Sequence, residues 1–333
     1  MGSKGSLKAE ASSGQGTKES LETKYSHQKI AVLQRNILKY KDFFNSLSKV
    51  SDSPSFLMFD DLYHIPRRDQ SHLLDYFHRI AKGLNLWLKV GTIRHRTRWY
   101  VSGDPPKGMK LGDDADEIDL DVTLEKYDLT KRFLLRILEG LSRSANVDLS
   151  SILAEGARDR LVLASGGVAR DFLTIFRRSI DIARERLQGR GVLNRGTKIG
   201  AEDVNLAAGE YDKFKREDFE RDTQSTDRDE LLGTLSTVST FCLQKSNTNC
   251  LLLLKDAADD FAYNIHELVD LKFLHQVRSR VTVRDEPGQL YEAYMLDLSQ
   301  YTGERKRRGL DMVEFWKADA SDTLRRRSLV LNP

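Results

Sequence analysis

The spacing of apolar residues changes several times along the chain, and each change marks an element. From Lys29 they recur at helical intervals (Ile30, Leu33, Ile37, Leu38, Phe43, Phe44, Leu47), and the helix is predicted to close before the turn-forming SDSPS at 51–55. The run FLMF at 56–59 does not alternate with polar residues, which predicts a strand covered on both faces, as in a parallel sheet. Asp69 is placed to cap a helix that carries Leu73, Leu74, Phe77, Ile80 and Ala81 on one side, with Gly83 ending it before a second apolar strand at 86–90. Strand, helix, strand in this order is a βαβ unit.

Beyond the loop SGDPPKGMKLGDDADE, the period-two series Ile118, Leu120, Val122, Leu124 predicts one more strand. From 126 to about 188 the pattern is helical, punctuated by Gly140, Gly156 and the pair Gly166 and Gly167. A linker rich in Gly and Arg leads to a helix near 202–215, and the polar stretch REDFERDTQSTDRDE reads as a domain boundary. From Leu231 another compact unit is predicted, with a helix, a short apolar strand at 250–254, helical pattern through 265–277, and strands at 278–284 and 290–298 flanking EPGQ as a hairpin. Helices followed by a terminal hairpin suit a winged helix. Residues 1–27 are rich in Gly, Ser, Lys and Glu and carry too little apolar surface to offset the entropy of ordering, so they are predicted to be disordered.

Composition narrows the class. A chain of 333 residues, 39% hydrophobic and 31% charged, is long enough for two or three cores, and no run approaches the roughly 18 apolar residues of a membrane span. No membrane partner is expected. A net charge of +3 is too mild to announce a nucleic-acid binder, and the basic clusters at 94–98, 305–308 and 325–327 read first as solvated surface. Cys242 and Cys250, without a second pair, indicate neither a zinc site nor a disulfide framework and suit a cytoplasmic location. The opening MGSKGS fits the myristoylation pattern and equally reads as a polar tail.

The candidate chemistry lies where the first strand ends. Asp60 and Asp61 follow FLMF at the carboxyl edge, where ligands of open α/β sheets bind. Adjacent carboxylates repel, so such a pair calls for a cation or for exposure; the plainer reading makes Asp60 a helix cap and Asp61 a loop residue. The second strand ends in VGTIR, which puts Thr92 and Arg94 at the neighbouring tip, and SGGVARDF puts Arg170 near the start of a helix, where a guanidinium can reach toward phosphate.

In that order the three motifs resemble the downstream part of an AAA+ or STAND-type P-loop ATPase of the origin-recognition-like branch. FLMFDD is similar to a Walker B strand, KVGTIR to a sensor 1 strand, and SGGVARDF to the sensor 2 motif of a helical lid. The resemblance implies an α/β fold with a partial P-loop core at 28–125, a lid at 126–190, a linker helix and polar boundary at 191–228 and a winged helix at 229–333. It also implies that Asp60 coordinates magnesium through water, Asp61 primes the attacking water, Thr92 or Arg94 senses the γ-phosphate of ATP, and Arg170 reports nucleotide state to the lid. Asp61 stands where many members carry the longer Glu.

The larger departure is the phosphate loop. A Walker A reads G-x-x-x-x-G-K-[ST], because backbone N–H groups wrap the phosphates while Lys neutralises them and the hydroxyl binds magnesium. GQGTKES at Gly14 lies in the tail with no strand before it, and GVLNRGTK lies far downstream of Asp60 with Thr-Lys in place of Lys-Thr. Losing three charge-assisted hydrogen bonds removes roughly 5 kcal/mol or more, so micromolar nucleotide affinity is expected to fall to millimolar. The expected partners are an upstream P-loop polypeptide or a second copy pairing with an open sheet edge. DNA is a further candidate through the winged helix, although the acids Glu267 and Asp270 in HELVDLKFLHQVR disfavour phosphate contact there.

Overall fold

The computed structural model describes residues 31–51, 53–120, 122–189, 196–222, 225–255, 260–284, 286–302, 309–317 and 321–332. The polar tail, both phosphate-loop look-alikes in whole or part, the linker at 190–195 and the basic run at 304–308 lie outside them. The fold is mixed α/β and predominantly helical, in two compact units, residues 1–119 and 120–333.

In the first unit, α1 (Ile37–Ser51) is followed by β1 (Ser55–Phe59), α2 (Arg67–Ala81) and β2 (Leu86–Val90). β1 and β2 pair in parallel from Ser55 opposite Leu86 to Phe59 opposite Val90, with α2 as the crossover. Leu74, Tyr76, Ile80 and Ala81 of α2 are buried, and Phe77 meets the Phe59 ring at 4.5 Å between centroids. α1 has no fully buried residue; its Ile37 and Phe44 pack at the margin of this small core. A short antiparallel pair, β3 (Tyr100–Val101) and β4 (Lys107–Gly108), completes the unit.

Three expectations change here. The apolar run at 56–59 is covered on one face alone: Leu57 and Phe59 turn inward, while Phe56 and Met58 are 54% and 75% exposed beside Trp87 at 59%. Lack of alternation therefore does not mean two covers. Asp69 does not cap α2, because Pro66 fixes the entry and the helix starts two residues earlier, leaving Asp69 in the first turn. The described residues of the series Ile118 to Leu124 form no strand: Ile118 and Leu120 are 74% and 84% exposed, and buried Leu124 opens a 3-10 turn.

The second unit runs through α3 (Tyr127–Ser144), α4 (Leu149–Ile152), α5 (Glu155–Ala164), α6 (Ala169–Gln188), α7 (Ala201–Asp222) and α8 (Ser225–Thr240). β5 (Cys250–Leu254), α9 (Asp260–Asp270), β6 (Leu274–Val281), β7 (Tyr291–Leu296) and the short α10 (Ser321–Leu324) follow. β5, β7 and β6 form an antiparallel sheet in that order, so the last strand lies between the other two. Leu161, Phe172, Leu252, Ile265 and Tyr294, all fully enclosed, belong to one continuous core.

The described residues of the polar stretch, 216–222 and 225–230, are helix within this unit, and Phe219 is buried against Phe273 at 5.9 Å. HELVDLKFLHQVR divides: helix to Asp270, left-handed backbone at Lys272 (φ 63), then strand from Leu274. Buried Phe273, Leu274, His275 and Val277 account for the switch from helical to extended pattern.

Candidate functional site

The strand tips of the first unit are built from backbone hydrogen bonds. Gly91 N–H donates to the Phe59 carbonyl at 2.7 Å, extending the ladder one residue past β2, and Leu62 N–H donates back to the Gly91 carbonyl at 3.2 Å. Asp60 and Asp61 bridge that short span. The Asp60 carboxylate lies over Gly91 so closely that a Cβ there would sit 2.9 Å from Oδ1. Asp61 N–H donates to Asp60 Oδ1 at 3.1 Å, and Asp61 itself takes the left-handed conformation (φ 53, ψ 43), uncommon for a residue with a Cβ although Asp tolerates it better than most. Both carboxylates are exposed, which relieves their mutual repulsion.

Thr92 lies beside this pair, one residue beyond Gly91. Its hydroxyl is 2.5 Å from that of Thr97, and Thr97 in turn donates to the Ile93 carbonyl at 2.7 Å. Since the one Thr97 proton goes to Ile93, Thr92 must donate to Thr97. With its proton committed to Thr97, the half-buried Thr92 hydroxyl is left as an acceptor, able to receive a water proton. Arg94 turns to the acidic segment that follows: its Nε donates to Glu117 Oε1 at 2.6 Å, its Nη2 contacts the same oxygen, and Asp119 is 3.6 Å away. Asp60, Asp61, Thr92 and Arg94 thus share one unit and one sheet edge. Arg170 belongs to the second unit, exposed in the first turn of α6.

The oxygen donors at the tip suit a hydrated magnesium ion, a hard cation that keeps most of its waters and takes one or two carboxylates. The tip offers a triphosphate few donors, since Thr92 and Arg94 direct protons to Thr97 and Glu117. No group of three or more metal-binding side chains occurs among the described residues.

A second polar constellation was invisible in the sequence. Inside the second unit, Lys215 Nζ of α7 donates to Asp297 Oδ2 at 2.8 Å and to the Lys272 carbonyl at 3.1 Å. The ring of His275 on β6 bonds the same Asp297 oxygen at 2.7 Å through Nε2. Ser299 and Gln300 link Asp297 to Asp212, and Arg216 closes on Asp212 at 2.7 Å. Lys215, His275 and Asp297 are 6%, 4% and 1% exposed at their side chains. Burial alone would raise the Asp297 carboxyl, but the Lys215 ammonium and the His275 bond overbalance it and hold it well below the usual carboxylate range. Burial pushes His275 down, so the imidazole stays neutral and its Nε2–H donates. Enclosure on this scale leaves no path for a substrate, and the group acts as an internal tie.

The SGGVARDF motif meets that tie. Gly166 (φ 58) lies so close to the His275 ring that a Cβ would stand 2.0 Å from Cε1, and one on Gly167 (φ 92) would stand 2.3 Å from the Val122 carbonyl. The glycine pair is therefore set by close packing in this unit. No sequence signal links residues separated by 57 and 82 positions, as Lys215 is from Lys272 and Asp297.

No family model, curated protein or solved structure matches the chain. Among the described residues no helix is long and apolar enough to cross a membrane.

Proposed function

We propose that the chain is a switch-type module of the AAA+/STAND kind, in which the first unit presents the cation- and water-facing side of a nucleotide site without the loop that holds the phosphates. The supporting observation is the adjacency at one sheet edge of Asp60, Asp61 and Thr92, on parallel strands joined by a helical crossover. Asp60 is the residue for a water-mediated magnesium contact, which when present would neutralise the carboxylate pair. Asp61 and the acceptor face of Thr92 are placed to orient a water. On its own such a chain neither binds ATP tightly nor turns it over.

A polypeptide carrying the remaining strand and phosphate loop is the partner this reading requires. Among the described residues β1 and β2 pair with each other alone, and Phe56, Met58 and Trp87 lie bare on one face beside the carboxylates. Calorimetric titration with Mg-ATP should give a dissociation constant in the millimolar range; a low-micromolar value would overturn the proposal.

The Arg94 ion pairs favour a second reading, a non-enzymatic adaptor that keeps the ATPase-like core as scaffold. With Arg94 neutralised by Glu117 the tip lacks a cationic sensor. In the second unit, the sheet order β5-β7-β6 with α8 and α9 is compatible with a winged helix, but Arg278 donates to the Glu125 carbonyl at 3.0 Å and Arg284 pairs with Asp322 at 3.2 Å. Those contacts favour packing over DNA for its hairpin. Hydrolysis that appears on adding a P-loop partner and vanishes in Asp61→Asn would support the first reading, whereas catalytic silence in the assembled complex would support the second.

A further inference from the structure

In the run RHRTRWY, residues 94–100, Arg94 and Thr97 belong to the strand-tip site. Arg98, Trp99 and Tyr100 find no use in the nucleotide reading, yet a buried side chain fixes this segment. Gln70 of α2 is 1% exposed and its amide is fully engaged: Nε2 donates to the Ile65 carbonyl at 2.9 Å and to the Arg96 carbonyl at 3.2 Å, while Oε1 accepts from Arg98 N–H at 2.7 Å. This clip fastens the segment to the start of α2. The next residues are held from the other side, where Met109 N–H donates to the Trp99 carbonyl at 2.9 Å. Gly108 packs so tightly on that carbonyl that any Cβ would meet it at 2.1 Å. Trp99 and Tyr100 therefore stand on a rigid support.

Between these fixed walls lies an open cleft of about 570 Å³ lined by Arg67, Thr97, Arg98, Trp99, Tyr100 and Lys110. Arg67, Arg98, Tyr100 and Lys110 are exposed and Trp99 is half-buried, and no acid faces the cleft among its lining residues, although Asp113 pairs with Lys110 at its rim at 2.5 Å. Cations interleaved with aromatic faces on a preformed support are the chemistry of single-strand recognition, in which guanidinium and ammonium groups track phosphates and a ring stacks on an unpaired base. A duplex hides its base faces, so it cannot use the rings.

We propose that this cleft binds a short stretch of single-stranded nucleic acid, with exposed Tyr100 stacking on a base, Trp99, which packs against the core beneath, forming part of the wall, and Arg67, Arg98 and Lys110 contacting the flanking phosphates. The inference stands independently of the nucleotide reading, since it uses neither Asp60 nor Asp61.

The test uses the full chain and fluorescently labelled 12-residue oligothymidylate and oligouridylate, read by anisotropy. Both DNA and RNA arms are needed because stacking and phosphate contact do not distinguish them. Binding is expected at about 50 mM salt and should weaken steeply as salt rises. Tyr100→Ser should lower affinity about fivefold or more, as loss of one stacked base does, while Tyr100→Phe retains it. Arg98→Gln should weaken binding and reduce the salt slope by about one. Its backbone bond to Gln70 does not involve the side chain, so the wall stays in place. Ultraviolet cross-linking of a bromouridine oligomer to the unmodified protein should map to Trp99 or Tyr100, which reads the site without any variant. Absence of binding at about 50 mM salt, affinity indifferent to Tyr100→Ser, cross-links elsewhere, or equally tight binding of a same-length duplex or of heparin would each overturn the assignment.

Discussion

Replacing Gly166 by Ala asks whether the glycine pair of SGGVARDF serves packing. An alanine at φ 58 costs about 1–2 kcal/mol of backbone strain, offset by up to about 1 kcal/mol because the unfolded chain also loses freedom. The steric demand is larger. A Cβ at 2.0 Å from His275 Cε1 and 2.3 Å from Nδ1 leaves the ring no choice but to move, and moving it breaks the 2.7 Å bond to Asp297. A hydrogen bond to a charged group contributes about 1.5–3 kcal/mol, and Asp297 has no solvent to turn to. The net loss expected for Gly166→Ala is about 2–4 kcal/mol. Urea unfolding followed by circular dichroism gives the total, and hydrogen exchange of the β6 and β7 amides reads the second unit by itself. Gly233→Ala is the control: in the middle of α8, with nothing within 4 Å of the added carbon, it should stabilise by about 0.5–1 kcal/mol. Combining Gly166→Ala with His275→Ala should recover at least about 1 kcal/mol relative to additivity. A Gly166→Ala protein within about 0.5 kcal/mol of the parent would refute the packing argument and return the motif to a purely functional explanation.

Three further outcomes follow from the same contacts. Burial lowers the His275 pKa, so below about pH 6.5 the unfolded chain takes up a proton that the folded state refuses. Stability is full above that value and falls by up to about 1.4 kcal/mol per pH unit beneath it, with a further loss below about pH 4 from Asp297; melting temperatures between pH 8 and 5 that stay level would contradict this. Lys215→Met strands the Asp297 carboxylate in the interior and should cost about 3–5 kcal/mol, partly restored by adding Asp297→Asn, both measured by urea midpoint. Met58→Lys, on the bare sheet face, should alter stability by less than about 0.5 kcal/mol yet reduce concentration-dependent light scattering.

What the sequence made legible was local. The strand at 250–254 is a continuous apolar run and the one at 86–90 is apolar but for Lys89, and both stand at those residues in the fold. The parallel β1–α2–β2 crossover and the carboxylates at its tip follow from the same local order. The failures are equally physical. Alternation at 118–124 satisfies half of what a strand needs, and the other half, a neighbour with free backbone groups, is a property of the fold. Whether Phe56 and Met58 are covered depends on a layer that their own spacing cannot report. Thr92 looked like a phosphate sensor until Thr97 claimed its proton, and Gln70 gave no hint of its role because an amide on a helix is ordinary until its three partners are known.

The knot of Lys215, His275 and Asp297 also limits how this molecule can move. A rearrangement that slid α7 across the three strands would carry an ammonium and a carboxylate apart through a medium that solvates neither, while the histidine beneath Gly166 lost its acceptor. Helical layer and sheet are in effect welded, and any conformational signal entering the second unit travels through it as through a solid block.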